Sequence, residues 1–434
     1  MGAALLIGTL TLGIKVLALF KESVVAAAYG TGSSFDAFII AQLLPMTLIS
    51  IISGSLNAAL IPSYIEVRDQ QSPEAAHRLY TTVLMLNAVL LVGVTVLMGA
   101  TAKLWLPLIA SGFDPDKLAL TRTLLYGSLP MVVMAGFCTT WGALLNAGER
   151  FALVAIAPAL QPLAIVGALG LLLSSMGIYA LLVGTLLGIA LEAVTVGIAL
   201  ARQGHPLMPR WHGSTPAFRR VLGQYGACIS SAFLVSGMGL VDQAMASSLG
   251  PRSNAALSYG SKLVMLILTL GAASLGTAIL PQLSRMVAAN DLAGLRHFLK
   301  QYSRIIFAVT VPFVLVMILL SRPIIRLFFQ HGAFSAADTD LVVQVQIFYL
   351  IRVPFSTCLV LVTRSLTALK ANHFMTVMSV GSFVLNILLN YLFMTKYGIA
   401  GITLSTSVCS IVILLCLSLA LHRLLEKRAA NASL

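Results

Sequence analysis

Long apolar stretches recur along the whole chain and are separated by short polar segments. A helix that spans a bilayer needs about 20 mostly apolar residues, because it rises about 1.5 Å per residue through a hydrocarbon layer about 30 Å thick. The pattern therefore predicts an all-α polytopic membrane protein with twelve transmembrane helices. Their approximate bounds are 2–20, 34–61, 79–101, 122–147, 151–174, 177–201, 218–248, 254–280, 300–321, 340–369, 374–395 and 399–424.

The composition supports this interpretation. Hydrophobic residues occupy 59% of the 434 positions, charged residues occupy 9%, and the mean hydropathy is +0.96. Soluble domains contain roughly 45–50% apolar and roughly 25% charged residues. The first apolar run has no basic segment before it and is followed by further spans, so we expect it to be retained as a helix and not cleaved as a signal peptide.

Basic loop residues predict the orientation in the membrane. An even number of helices places both termini on one side, and the loops on that side hold most of the lysine and arginine, including Arg219, Arg220 and Lys427. Because basic loops stay on the cytoplasmic side, we predict that both termini are cytoplasmic. The net charge of +13 is spread over separate loops without an aromatic-rich basic stripe. We therefore predict contact with anionic membrane lipids and no nucleic-acid partner.

Motifs for catalysis and for ATP binding are missing from the sequence. The five cysteines lie singly in apolar spans, and the seven histidines form neither an HExxH motif nor a zinc-ligand spacing. A phosphate-binding GxxxxGK[ST] loop does not occur either. The sequence thus predicts neither a metal enzyme nor a protein that ATP drives directly, and it indicates no cofactor other than a bound ion.

A phrase in the first half of the chain returns in the second half. "SGSLNAALIPSYIEV" at 53–67 is echoed by "AASLGTAILPQLSRM" at 272–286, which aligns Pro62 with Pro281 at a shift of 219 residues. "SGF" at 111–113 and "HGAF" at 331–334 agree with nearly the same shift. Each half then holds six helices, and an even number of spans relates the halves by a pseudo-two-fold axis along the membrane normal.

The repeat also predicts the domain organisation. The stretch 202–217 is rich in proline, glycine and basic residues, and we expect it to be a cytoplasmic connector. It would join an N-terminal six-helix lobe at 1–201 to a C-terminal six-helix lobe at 218–434. Parallel repeats of this kind are typical of transporters in which one lobe rocks against the other around a central site.

Several ionisable residues fall within the predicted spans or directly at their ends, and within a span each costs about 2.5–3.5 kcal/mol on insertion scales. They are Lys15, Lys21, Glu22, Asp36, Glu192, Asp242, Lys262 and Arg352. Cations that face a cavity would bind a diphosphate group, so we predict an anionic substrate. For Lys21 and Glu22 an alternative remains, because a helix end near the interface lets such side chains reach water.

A second set of polar residues is rich in oxygen. Asn386 and Asn390 are four residues apart and share one helix face, Asp242 lies in the seventh span, and Thr406 lies in the twelfth. A carboxylate, two amide carbonyls and a hydroxyl would suit a sodium ion, the usual coupling ion of such transporters. The alternative is that these residues form hydrogen bonds between helices.

Segments in both halves resemble one family. "IKVLALFKESVVAAAYGTGSSFDAFIIAQLLP" at 14–45, followed by "SGSLNAALIPSYIE", is similar to the opening of the MurJ/MviN flippases. "IIRLFFQHGAFSAADT" at 324–339 is similar to the same family in the second half. This family belongs to the multidrug/oligosaccharidyl-lipid/polysaccharide exporter superfamily. The resemblance implies a two-lobed transporter that moves undecaprenyl-diphosphate-linked peptidoglycan precursor across the bacterial inner membrane by alternating access.

The resemblance also implies roles for individual residues. Lys15, Lys21 and Glu22 fall where the family has cavity-lining Arg, Arg and Asp, Asp36 matches a family Asp, and Lys262 falls on a cavity Arg. With Arg352, these form the predicted substrate-binding set. Asp242, Asn386, Asn390 and Thr406 fall on positions that form a sodium site in some members.

The chain also departs from the family pattern. "TLISII" at 47–52 lacks the basic pair that members often carry in the second helix, and members have two further C-terminal helices. Lysine repeatedly replaces arginine and cannot form its bidentate contact with phosphate. A flippase for an exopolysaccharide, O-antigen or capsule precursor is therefore the main alternative.

A multidrug exporter is less favoured because the deep charges are mostly basic, and a membrane enzyme is disfavoured because the outer loops are short and poor in acids. We expect a monomer.

Overall fold

The computed structural model describes residues 2–148, 151–289, 291–371 and 373–432. Regular structure in these residues is helical throughout. The α-helices are α1 Gly2–Tyr29, α2 Ser33–Ile49, α3 Ser55–Gln70, α4 Pro73–Ala100, α5 Ala102–Ile109, α6 Pro115–Ala147, α7 Phe151–Ile156, α8 Leu160–Met176, α9 Ile178–Arg202, α10 Pro216–Ser247, α11 Ser253–Ala288, α12 Leu292–Leu319, α13 Ser321–Phe329, α14 Ala336–Leu350, α15 Arg352–Ala368, α16 His373–Tyr397 and α17 Ile399–Ala432.

The structure confirms a polytopic helical fold. Eleven helical segments in the described residues are long and apolar enough to cross a membrane, and they correspond to the second through twelfth predicted spans. The first predicted span is helical within α1, but the side chains of residues 1–11 lie outside the described set. The total of twelve membrane helices therefore stays a prediction, because the first span is the one that the structure does not test.

The bounds of the helices repeat along the chain as the sequence phrase does. Helices α4 and α12 both have 28 residues, and they begin at Pro73 and Leu292, which are 219 positions apart. The short helices α5 and α13, which the apolar pattern did not predict, begin 219 positions apart, at Ala102 and Ser321. The N-caps of the following helices, Asp114 and Ser335, are 221 positions apart. The repeat thus extends from the sequence to helix lengths and capping.

Contacts divide the chain into two compact units. The first contains residues 1–255 with 331–334, and the second contains 256–330 with 335–434. Helix α10 belongs to the first unit, where Arg220 Nη1 donates to Glu66 Oε1 of α3 at 2.5 Å. The division by contacts therefore does not coincide with the 202–217 boundary. That boundary rests on the sequence repeat and stays a prediction.

The core of the first unit joins α3, α4, α6 and α9 through buried residues such as Leu56, Tyr80, Leu145 and Leu200. In the second unit, the core joins α11, α12, α15 and α17. Its buried residues include Leu283, Phe298, Leu361 and Leu421.

Residues 203–215, which form most of the predicted connector, pack against the start of α4. Arg210 N donates to Thr81 O at 3.2 Å, and His205 Nδ1 lies 2.9 Å from His77 Nε2. Burial lowers the pKa of His205, and the adjacent His77 lowers it further. The neutral ring of His205 is therefore favoured. One of the two facing ring nitrogens then carries a proton and donates a hydrogen bond to the other.

A π-helical segment, Ser50–Gly54, interrupts the helix between α2 and α3. Ser53 Oγ donates to Asn87 Oδ1 at 3.1 Å, and Asn87 Nδ2 donates to Thr140 Oγ1 at 3.0 Å. All three side chains are fully buried. This network links the segment to α4 and α6 and gives the polar side chains partners inside the bilayer.

Two glycines mark equivalent close contacts in the two repeats. A Cβ on Gly112, after α5, would lie 2.2 Å from Ser247 O at the end of α10. A Cβ on Gly332, after α13, would lie 2.3 Å from Ala27 O near the end of α1. Gly112 and Gly332 are 220 positions apart, and so are Ala27 and Ser247. Each loop therefore contacts the helix that begins the other repeat, which explains why "SGF" and "HGAF" both contain glycine.

We expect Gly112→Ala and Gly332→Ala each to destabilise the protein by about 1–3 kcal/mol, because the new methyl group meets a backbone oxygen that cannot rotate away. Gly332 also has a φ of +58°, a conformation that adds strain for alanine. Thermal unfolding in detergent measures the effect. Gly170→Ala is the matched control, since a Cβ there meets nothing within 4 Å. Equal melting temperatures for all three variants would contradict this assignment.

Candidate functional site

Three of the predicted substrate residues lie on α1. Lys21 Nζ is 2.5 Å from Glu22 Oε1, and the Glu22 side chain is only 9% exposed. Lys15 is half-buried and lies seven residues before Glu22, so the two share a helix face. The three groups together carry a net charge of +1. The Glu22 carboxylate can hold the Lys21 ammonium in place, while Lys15 leaves positive charge for an anion.

Asp36 is buried completely and is fully hydrogen-bonded. Its carboxylate accepts from Lys117 Nζ at 3.0 Å and from the backbone N–H groups of Arg252 and Ala255, each at 2.7 Å. The carboxylate therefore caps the start of α11, where the helix dipole also favours a negative charge. In this structure Asp36 has a structural role, and its predicted contact with substrate stays a prediction.

Lys117, the partner of Asp36, is not among the residues that the sequence analysis selected as functional. The structure places it in the first turn of α6, with Asp114 as the N-cap and its own ammonium 3.7 Å from the centroid of the Phe113 ring. A local signal for this existed, because "DPDK" at 114–117 has an aspartate followed by proline, which is typical of a helix start. The pairing with Asp36 had no sequence signal, since the two residues are 81 positions apart.

The remaining predicted substrate residues lie in the second unit. Lys262 is a half-buried residue of α11. Arg352 begins α15, where its Nε donates to Ser356 Oγ at 3.5 Å and its guanidinium lies 5.9 Å from the centroid of the Tyr349 ring. The half-buried Arg352 is thus held by weak neutral contacts, which leaves its charge for an anion. The joining of the residues from both units into one substrate site stays a prediction.

Three of the four predicted sodium ligands lie on α16 and α17. Asn390 Nδ2 donates to Asn386 Oδ1 at 3.3 Å, and the Ser405 hydroxyl donates to Asn390 Oδ1. Thr406, next in the chain, donates to Ile402 O at 3.1 Å. Ser405 was missed because it is one of several hydroxyl residues in "TLSTSVCS" at 403–410, and nothing in the sequence distinguishes it from its neighbours.

The fourth predicted sodium ligand, Asp242, is a buried residue of α10 in the first unit. Asn390 Oδ1 accepts a hydrogen bond across helices from Ser405 of α17, as the alternative of interhelical hydrogen bonding requires, whereas Asn386 Oδ1 accepts from Asn390 within α16. The sodium site itself stays a prediction.

We expect Lys117→Met to lower the free energy of unfolding by about 3–5 kcal/mol, because it leaves the Asp36 carboxylate buried without its counter-charge. The double variant Asp36→Asn/Lys117→Met should recover much of that loss, since it removes both charges. Thermal unfolding of the purified variants measures both effects. Lys103→Met, which changes an exposed lysine of α5, is the control. A Lys117→Met variant as stable as this control would contradict the structural role.

Comparison with known proteins gives a consistent result. The sequence model of the family described as lipid II flippase MurJ matches residues 25–433. A probable lipid II flippase MurJ of Synechocystis sp. is 26% identical over 412 residues, which cover 91% of this chain and 76% of that protein. The lipid II flippase MurJ of Burkholderia cenocepacia is 26% identical over 423 residues, which cover 94% of this chain and 80% of that protein.

Solved structures show the same fold. A lipid II flippase MurJ in an inward closed conformation has a TM-score of 0.83 at 23% identity and covers 98% of this chain and 90% of its own. An inward-facing multidrug resistance MATE family transporter of the MOP superfamily has a TM-score of 0.81 at 13% identity, and the match covers 97% of this chain and 99% of that transporter. These likenesses establish the fold, and the match of the family model over nearly the whole chain establishes that this protein belongs to the lipid II flippase MurJ family.

Proposed function

We propose that this protein is a flippase that moves lipid II, an undecaprenyl-diphosphate-linked glycan, across the bacterial inner membrane. The observation that carries the proposal is the match of the MurJ family model to residues 25–433. Relatives named as lipid II flippases favour this cargo over the other glycan lipids that the residues leave open. The repeat of helix bounds supports a transporter built from two equivalent bundles.

In this proposal, the deep cations bind the diphosphate. Arg352 can donate two parallel hydrogen bonds to one phosphate, whereas Lys15, Lys21 and Lys262 act as point charges. Glu22, 2.5 Å from Lys21, reduces the net charge, so that binding stays weak enough for release. Four cations and one carboxylate leave a net charge of +3 for the diphosphate and its counter-ions.

The undecaprenyl tail would stay in the lipid during transport. Each methylene group moved from lipid into water costs about 0.8 kcal/mol, so a protein that carried the whole molecule through water would face a prohibitive barrier. Only the polar head needs a shielded path. Alternating access supplies that path if the lobes open to each side in turn, with both termini in the cytoplasm.

Sodium is the proposed coupling ion, with Asp242, Asn386, Asn390 and Thr406 as ligands. The Asn390 oxygen would have to give up its hydrogen bond from Ser405 to bind the ion. Ion binding and the rearrangement of α16 against α17 would then be linked, because the same oxygen serves both.

We expect Lys262→Ala to abolish lipid II transport while the protein remains folded, and Lys262→Arg to retain transport, because arginine restores the charge. The measurement is lipid II exposed on the outer face of cells that depend on this protein for flipping. Lys396→Ala, at the exposed end of α16, is the matched control. Normal flipping by Lys262→Ala, at equal membrane levels, would refute the role of this residue.

The cargo itself can be identified by mass spectrometry of lipids retained on the purified protein. We expect a polyprenyl diphosphate that carries the peptidoglycan disaccharide and peptide, with less of it on Lys262→Ala. Recovery of a polyprenyl-diphosphate polysaccharide repeat unit instead would assign the protein to another glycan.

A further inference from the structure

A cleft of about 590 Å³ lies within the first unit. It is bounded by α2, the π-helical segment Ser50–Gly54, α3, α6, α7, α8 and α9, together with the 3₁₀ turn Ala157–Ala159 between α7 and α8. Among the described residues that line the cleft, none belongs to the predicted substrate or sodium sets.

The wall of the cleft is mainly apolar, with Met46, Ile49, Ile61, Val154 and Val196 among its residues. Glu192 is the one charged residue among the described lining residues, in a chain whose net charge is +13. It lies ten residues before the end of α9, about 15 Å along the helix from Arg202. A carboxylate at that depth needs a partner or a function.

The internal partner of Glu192 is weak. The thiol of Cys138 on α6, which lines the same cleft, is the group that interacts with the Glu192 carboxylate. A thiol is a poor donor, and it carries no charge to balance a carboxylate in an apolar wall. A lysine or arginine would have served far better, as Lys117 does for Asp36. Among the described residues that line the cleft, no lysine or arginine supplies a counter-charge to this carboxylate.

A second acceptor lines the same cleft. Asn57 is more than nine-tenths buried, and its Nδ2 donates to Thr139 O at 3.2 Å. Its Oδ1 has no hydrogen-bond partner within the part of the chain that the structure describes. A buried acceptor without a donor costs about 1–3 kcal/mol. Glu192 and Asn57 thus provide a negative charge and a vacant acceptor, and both would be satisfied by a ligand that is positive and donates.

The volume and the wall decide between a metal ion and an organic ligand. A space of about 590 Å³ is far larger than a bare ion requires and falls within the roughly 300–1,000 Å³ typical of small-molecule sites. Its aliphatic wall would bury apolar surface of a ligand. We propose that this cleft binds an amphiphilic organic cation, with its charge against Glu192 and an N–H group that donates to Asn57 Oδ1. This proposal does not depend on lipid II transport.

Ethidium is a suitable probe, because it is a flat apolar cation with N–H donors and its fluorescence rises when it leaves water. The full chain in lipid nanodiscs is titrated with ethidium, and the signal of empty nanodiscs is subtracted. We expect saturable binding at one site. Glu192→Gln should raise the Kd tenfold or more, and Asn57→Ala should raise it several-fold.

Controls separate this site from the substrate site and from lipid binding. Glu426→Gln, at an exposed glutamate of α17, and Lys262→Ala should both leave the Kd for ethidium unchanged. Neutral Nile red at equal concentration should not displace ethidium. If Nile red displaces it, the cleft is a pocket for neutral lipid chains and the proposal is wrong.

The proposal is also overturned if ethidium fails to bind or if Glu192→Gln binds it normally. Should Glu192→Gln not fold, Glu192→Asp and Asn57→Ala replace it, and normal ethidium affinity in both is then the contradicting result. Loss of flipping in Lys262→Ala with ethidium binding retained would show that the two sites act separately.

Discussion

Every polar group that the bilayer surrounds must find its partner inside the protein, because hydrocarbon offers none. This constraint governs the places where the helices of this chain are interrupted. The π-helical segment Ser50–Gly54 is accompanied by a buried network in which Ser53, Asn87 and Thr140 bond one another. The start of α11 is closed by Asp36. Irregular backbone is thus found together with buried polar side chains.

The same constraint separates the ionisable residues of the predicted spans into those with a buried counter-charge and those without a strong one. Asp36 is fully buried and has a strong counter-charge in Lys117. This ion pair offsets the free-energy cost of burying the carboxylate and stabilises the fold. Lys15 and Arg352 are only half-buried, and Glu192 lines a cleft whose described residues include the Cys138 thiol but no lysine or arginine. Ionisable groups of this second kind are costly in the folded protein alone. Ligand binding is the physical reason that we assign to them.

The two repeats share helix starts at equivalent positions but have diverged in polar detail. Asp114 and Ser335 cap equivalent helices, yet three residues later the first repeat has Lys117 and the second has Asp338. Lys117 pairs with Asp36, whereas Asp338 completes a local capping box with Ser335. A duplicated scaffold can therefore keep its helix starts while one side chain is redirected from local capping to a long-range ion pair.

The sequence by itself determined the membrane class, eleven spans that the structure confirms, the internal repeat and the family, because apolar length, loop charge and short motifs are properties of neighbouring residues. Tertiary structure alone decided the partner of Asp36, the crossed contacts of Gly112 and Gly332, the place of Ser405 beside Asn390 and the cleft around Glu192. Each of these joins residues that are far apart in the chain, or a lone side chain to a distant backbone group. Hydrophobic periodicity records which face of a helix avoids water, but it does not record which helix that face meets.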